Sequence, residues 1–211
     1  MEETAYAKLN LALHVRGREA DGYHRIETIF AFAEHGDRLR VSAGDALGLE
    51  VTGPFAGDLA PAEDNLVLRA ARALRARFNV AAGAALSLDK QLPVASGLGG
   101  GSADAAATLR LLCRWWQVDA DAGQLLDLAR GLGADVAACL RSETARGEGR
   151  GDVLVSQDGA GLAGTPALLV NPGIPLATGA VFGAWDGVDQ GALPITSPGA
   201  AALEGLSLIH I

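Results

Sequence analysis

Cysteine is nearly absent from this chain of 211 residues, and the two present, Cys113 and Cys139, sit inside apolar helical patterns. That argues against a disulfide framework and reads as buried thiols in a reducing compartment. Clustered positive charge is missing too. The net charge is −8 and no lysine or arginine block interrupts it, so the basic footprint that nucleic acid or an anionic membrane requires is not there. Phosphates would have to be held locally, by backbone N–H groups and a few placed cations. The opening MEETAYAKLN has neither a basic start nor an apolar run, so no signal peptide is read. No stretch approaches the roughly 20 apolar residues of a membrane span, and there is no internal repeat or long low-complexity linker. These absences lead to the expectation of a soluble, cytoplasmic protein. What is there, 49% hydrophobic and 20% charged residues, describes a globular chain able to bury a core as one large domain or two small ones.

Residues 5 to 15, AYAKLNLALHV, alternate with period two. This predicts a half-buried strand with Ala5, Ala7, Leu9, Leu11, Leu13 and Val15 on one face and Tyr6, Lys8, Asn10 and His14 on the other. Asp21-Gly22 marks a turn. RIETIFAFAEHGDRLRV reads as two strands broken at His35-Gly36-Asp37, and LGLEVTG as another, so an antiparallel meander without a βαβ unit is expected. Helical patterns follow. Asp64 is placed to cap NLVLRAARALRARF, with Leu66, Ala70, Leu74 and Phe78 on one face. AALSLDK is a short strand. Ser102 is expected to cap a helix over 103–116 that turns Ala106, Leu109, Cys113 and Trp116 inward. AGQLLDLARGLGADVAACL gives two helices parted near Gly131-Leu132-Gly133. GRGDVLVS and PALLVNPG look like strands, and Thr178 is a candidate cap for a helix holding Val181, Phe182 and Trp185. A compositional shift near residue 156 suggests a boundary. Strands first and helices later indicate an α+β fold.

Between strand and helix lies LPVASGLGGGSADAAATLRLL, residues 92–112. It is not a Walker A loop, because the lysine of that motif is missing. Nor is it the dinucleotide fingerprint, because Ser102 stands where the third glycine should be. Glycines permit close backbone approach and positive φ, successive N–H groups form an anion nest, and the loop empties into a helix N-terminus. On local pattern alone it is either a glycine turn or an anion cradle.

PVASGLGGGSADAA resembles the second motif, P-x-x-x-G-L-G-S-S-A-A, of the small-molecule kinases named after galactokinase, homoserine kinase, mevalonate kinase and phosphomevalonate kinase (GHMP kinases). Three further stretches, AKLNLALHVRGREADGYHRIETIF, EDNLVLRAARAL and LGADVAACL, are similar in content and order to the 4-diphosphocytidyl-2-C-methyl-D-erythritol kinases of that superfamily. The resemblance spans residues 4 to about 182. It implies a GHMP kinase fold: an N-terminal ribosomal protein S5 domain 2-like α/β sandwich over 1–155 and an incomplete C-terminal GHMP domain over 156–211. There are departures. Gly101-Ser102-Ala103 keeps a single serine, and Ala137 stands where the family often has proline. The family's third motif, a second glycine-rich loop, does not occur. The last six residues, 206–211, can be encoded by CTG-TCT-CTT-ATA-CAC-ATC, which looks like the end of a transposon sequencing adaptor; the alternative is an ordinary amphipathic helix end. A truncated reading frame is therefore expected, and 206–211 are set aside.

The resemblance implies ATP-dependent phosphorylation of the 2-hydroxyl of a cytidine diphosphate conjugate of methylerythritol, in the non-mevalonate (methylerythritol phosphate) route to isoprenoid precursors. ATP is the co-substrate, Mg2+ is expected with it, and no side chain is assigned to a metal. Pro93, Val94, Ala95, Ser96, Gly97, Leu98, Gly99, Gly100, Gly101, Ser102 and Ala103 would hold the ATP phosphates. Asp135 would accept the proton of the attacking hydroxyl, with Lys8 beside it. By itself Asp135 reads as a helix N-terminal carboxylate and Lys8 as an ordinary strand lysine. Asn10, two residues from Lys8 on the same face, would reach the same pocket. Tyr23 and His24 would stack on and hydrogen-bond the cytosine, with Phe182 on the other side of the base and Thr178 as a polar neighbour. Their plainer readings are a tyrosine packed on a turn, a surface histidine, a core phenylalanine and a cap. Another superfamily kinase of the homoserine or mevalonate type fits the glycine loop but not A-K-L-N and D-G-Y-H. A non-catalytic nucleotide-binding fragment is the alternative from a different class.

Overall fold

The computed structural model describes residues 1–59, 65–159, 161–171 and 178–193. Its frame is a long hairpin: β1 (Glu2–Arg18) lies antiparallel to β2 (His24–Ser42) along its whole length. Asp21-Gly22 makes the turn as expected, with Gly22 at φ 89° and the Asp21 carboxylate accepting from the Tyr23 N–H at 3.1 Å. β2 is shared on its other edge. Its last third pairs with β4 (Ala84–Asp89) and its first third with β5 (Ala145–Gly149), which in turn pairs with β6 (Val153–Ser156).

Two expectations about the strands fail here. His35-Gly36-Asp37 does not break the chain, because β2 runs through it. Gly36 faces Tyr6 across the ladder, and a Cβ on it would lie 2.2 Å from the Ala5 carbonyl oxygen. The glycine serves close strand approach, not a turn. Nor is the N-terminal region a pure meander. β3 (Leu47–Thr52) skips β2 and pairs parallel to β4 through the crossover helix α1 (Leu66–Phe78), so a βαβ unit is present.

The helices α1, α2 (Gly100–Trp115), α3 (Ala122–Leu132) and α4 (Ala134–Arg141) bury one core with the sheet, around Leu39, Leu74, Leu88, Leu109, Leu112 and Val136. Asn65 caps α1, its side chain accepting from the Val67 N–H at 2.9 Å; the expected cap, Asp64, lies outside the described residues. Ser102, in contrast to expectation, does not cap α2. The helix starts at Gly100 with Gly99 as its cap and no side-chain cap bond, which puts Ser102 inside the first turn. α3 and α4 part at Gly133 as expected, and Asp121 and Gln124 form a capping box on α3. β5, ARGEG, carries no apolar alternation and was not foreseen. The expected strand PALLVNPG is not one over 166–171, where Leu168 and Val170 are exposed; its last two residues lie outside the described ones. The short helix α5 (Thr178–Gly183) begins at Thr178, whose side chain lies outside the description, and ends before Trp185. Residues 206–211 are outside as well. No helix among the described residues is long and apolar enough to cross a membrane.

Candidate active site

Lys8 departs from its expected place on an exposed strand face. The β1–β2 register shifts between Tyr6 and Lys8 and again between Asn10 and Ala12. Such bulges re-aim side chains: Lys8 is 3% exposed, and Ala7 beside it is buried as well. Its ammonium donates to the Asn10 amide oxygen at 2.8 Å, lies 3.5 Å from Asp135 Oδ1 and sits 4.6 Å over the Phe30 ring. Asp135 comes from the first turn of α4, and its side chain keeps 44% of its surface in solvent. A buried cation thus meets an accessible carboxylate, contributed by residues 127 positions apart.

The glycine loop is stitched to the same place. The Lys8 backbone N–H donates to the Leu98 carbonyl at 2.9 Å, and a Cβ on Gly99, at φ 63°, would sit 3.0 Å from Lys8 Cε. Ala95 and Gly97 also take positive φ, 53° and 78°, and Ser96 Oγ donates to the Pro93 carbonyl at 2.8 Å to close the turn. Because no side chain caps α2, the N–H groups of its first turn are open to an acceptor from outside the chain. Lys8, Asn10, Asp135 and the loop therefore form one site.

Two of the other expected site residues, His24 and Phe182, meet at the turn end of the hairpin. The His24 ring stacks on Phe182 with centroids 5.3 Å apart and meets Trp185 edge-on at 5.7 Å. A base inserted between two rings needs them roughly 7 Å apart, so His24 and Phe182 touch each other instead of leaving a slot. Tyr23 is turned elsewhere, with the Arg150 guanidinium 4.0 Å over its ring and Arg150 ion-paired to Asp21.

Against this geometry stand the relatives. The model of the GHMP kinases N terminal domain matches residues 65–143. A 4-diphosphocytidyl-2-C-methyl-D-erythritol kinase from Rhizorhabdus wittichii is 60% identical over 205 residues, covering 96% of this chain and 70% of its own length. The chain belongs to the 4-diphosphocytidyl-2-C-methyl-D-erythritol kinase family. A kinase of the same name from Sphingopyxis alaskensis is 48% identical, covering 97% of this chain and 73% of that one. A crystal structure of a 4-(cytidine 5'-diphospho)-2C-methyl-D-erythritol kinase matches with TM-score 0.62 and 39% identity, over 74% of this chain and 55% of the solved one. A mevalonate kinase at TM-score 0.56 and 8% identity shares the fold. In this member of the kinase family, the glycine loop and Asp135 fall inside the matched N-terminal domain region, and Lys8, Asn10, Tyr23 and His24 precede it.

Several supports of the site escaped the sequence. Thr28, fully buried on β2, accepts from Asn10 Nδ2 at 2.8 Å and donates to the Ala12 carbonyl at 2.8 Å, which turns the Asn10 oxygen toward Lys8. A lone threonine in the apolar run IETIFAF was the available signal. Arg110 of α2 donates to the Cys139 and Leu140 carbonyls at 2.7 and 3.2 Å, to the Thr4 carbonyl at 3.1 Å and to Glu3 at 2.9 Å. It braces α4 against β1, the two elements that carry Asp135 and Lys8. Nothing local in the sequence marks it. Beneath the loop, Lys90 is 1% exposed and pairs with Asp37 at 2.5 Å and Asp104 at 2.8 Å.

Proposed function

We propose that the chain carries the catalytic part of an ATP-dependent kinase that phosphorylates the 2-hydroxyl of 4-diphosphocytidyl-2-C-methyl-D-erythritol, in the methylerythritol phosphate route to isoprenoid precursors. The observation that carries this reading is the pairing of Lys8 with Asp135, 3.5 Å apart, on the strand to which the glycine loop is hydrogen-bonded. Phosphoryl transfer depends mainly on positioning and on positive charge around the moving group. Residues 93–103 cradle the ATP phosphates with backbone N–H groups and the N-terminus of α2. The half-exposed Asp135 carboxylate accepts the proton of the attacking hydroxyl. Lys8, fixed by Asn10 and Phe30, faces the transferring phosphoryl. Asn10 shares its pocket. At the other end of the substrate the cytosine is recognised by Tyr23, His24, Thr178 and Phe182, which requires the His24–Phe182 contact to part or the base to lie on Tyr23.

Among the described residues no three His, Cys, Asp or Glu side chains gather as a metal cluster. Mg2+ is expected to arrive with the nucleotide, whose phosphates supply part of its ligands in such enzymes. Residues 1–155 are taken as the N-terminal domain, and 156 onward as the start of a second. The test is turnover with three acceptors: 4-diphosphocytidyl-2-C-methyl-D-erythritol, homoserine and mevalonate, each with MgATP. Phosphorylation of the cytidine diphosphate conjugate alone is expected. Equal rates with all three would leave only the superfamily, and ATP binding without turnover would favour a nucleotide-binding fragment.

A further inference from the structure

Asp37 of β2, Lys90 just after β4 and Asp104 of α2 meet in the interior, directly beneath the start of α2. A Cβ on Gly100 would lie 2.9 Å from the Lys90 ammonium and 3.7 Å from Asp37 Oδ2. Asp37 is fully satisfied: its Oδ2 accepts from Lys90 and its Oδ1 from the Gln91 and Leu92 N–H groups at 2.6 and 2.8 Å. Asp104, 3% exposed, is not. Its Oδ2 accepts from Lys90 at 2.8 Å, but its Oδ1 is buried with no partner.

With both carboxylates ionised the cluster would hold two negative charges against one positive. It would place an uncompensated charge under the loop proposed to cradle the ATP phosphates. An ionised buried carboxylate with an orphan oxygen is also far costlier than a neutral one. We propose that Asp104 is the proton carrier of this buried strut: protonated, it balances the Lys90–Asp37 pair, and binding of nucleotide phosphates on the loop above draws a proton onto it. The inference rests on that reading of the loop.

The electrostatics point the same way. Burial, opposed by Lys90 and reinforced by Asp37, pushes the Asp104 carboxyl up to about 7. Burial pulls the Lys90 ammonium down, but Asp104 and Asp37 outweigh it and leave it above its ordinary value. Around the cluster, β1 presents Lys8, which is paired with Asp135 of α4. α4 also presents Cys139, whose thiol is pushed up to about 12. Asp89 at the end of β4 accepts from Gln91. α1 offers only arginines as ionisable groups, and α2 itself Arg110, Arg114 and Cys113, whose thiol is raised by burial. Within the buried cluster, Asp104 is therefore the group poised to change charge near neutrality.

The test compares wild type with Asp104→Asn, a neutral isostere. MgATP binding is measured by calorimetry from pH 6.5 to 8.5 in buffers of different ionisation enthalpy. Wild type is expected to take up protons, with Kd rising by up to about tenfold per pH unit above about 7. Asp104→Asn should lose that part of the slope and keep only what the nucleotide's own phosphates contribute. Identical slopes and proton uptake in the two proteins would overturn the proposal. So would a carbon-13 titration of the Asp104 carboxyl in the wild-type chain with a midpoint below about 5, a measurement that needs neither ATP nor a folded variant. Absence of any ATP binding in wild type, with Asp104 titrating near 7, would instead remove the phosphate reading of the loop and, with it, the coupling.

Discussion

Lys8 and Asp135 are expected to act as one unit, because the same 3.5 Å contact that orients the carboxylate also fixes the ammonium. Asp135→Asn keeps the shape and removes the proton acceptor, so turnover should fall by at least ~10²-fold with ATP affinity retained. Lys8→Ala should lower turnover too, and the double variant should lose less than the sum of the two. Strictly additive losses in steady-state kinetics would show that the side chains work separately. A second residue-scale expectation concerns Cys139. Burial raises its thiol to about 12, whereas an unfolded cysteine ionises near 8.5. Between those values the unfolded chain releases a proton that the folded chain keeps, so stability present below about 8.5 is lost as pH climbs toward 12. Urea melts from pH 8.5 to 10.5 should give a shallower decline in Cys139→Ala than in wild type, by up to about 1.4 kcal/mol per pH unit.

At the scale of single elements, β2 and α1 are the informative cases. Gly36 sits where β1 and β2 touch, so Gly36→Ala should cost at least about 2 kcal/mol in urea unfolding, as overpacking does. Gly48 of β3 has nothing within 4 Å of its virtual Cβ, and Gly48→Ala should be neutral or slightly stabilising. Equal effects at the two positions would contradict the close-approach account of β2. For α1, Asn65→Ala removes the bond to the Val67 N–H and should cost about 1 kcal/mol, seen as a fall of roughly 2–4 °C in Tm. The elements most legible in the sequence were those with their own periodicity and stops, such as α3 and α4 with Gly133 between them. β5 was illegible because ARGEG is stabilised by its partners Ile26–Phe30 and not by any pattern of its own.

Across the whole molecule, the segment 178–193 is held to the sheet by charge as much as by apolar contact. Glu27 accepts from Arg16 at 2.5 Å, from Arg146 at 2.8 Å and from the Leu193 N–H at 2.7 Å; Arg16 also holds Asp189, and His14 bonds the Gly191 carbonyl. Glu27→Ala leaves two half-buried arginines without their shared carboxylate. Cleavage within 178–193 by dilute protease should then accelerate by ~10-fold or more, as for a segment with a lowered opening free energy. Arg40→Ala, which breaks the exposed pair with Glu2, should leave the rate unchanged. If both variants digest at the wild-type rate, Glu27 does not anchor the segment.

Short-range chemistry was settled by the sequence alone. The turn at Asp21-Gly22, the amphipathic helices, the buried thiol of Cys139 and the glycine loop at a helix start each follow from neighbouring residues, because periodicity, positive φ and capping are local properties; Cys113, expected buried as well, is only half-buried, at the edge of the core. The family resemblance likewise rests on contiguous motifs. What the tertiary structure decided is everything that needs two distant segments at once. It turned Lys8 inward through a bulge, set it against Asp135, and let β2 pass through Gly36. It also gathered Lys90, Asp37 and Asp104 under the loop and closed His24 onto Phe182. These are matters of register and packing, and a strand register shifted by one residue sends every side chain to the opposite face, so the site became visible only where the sheet fixed that register.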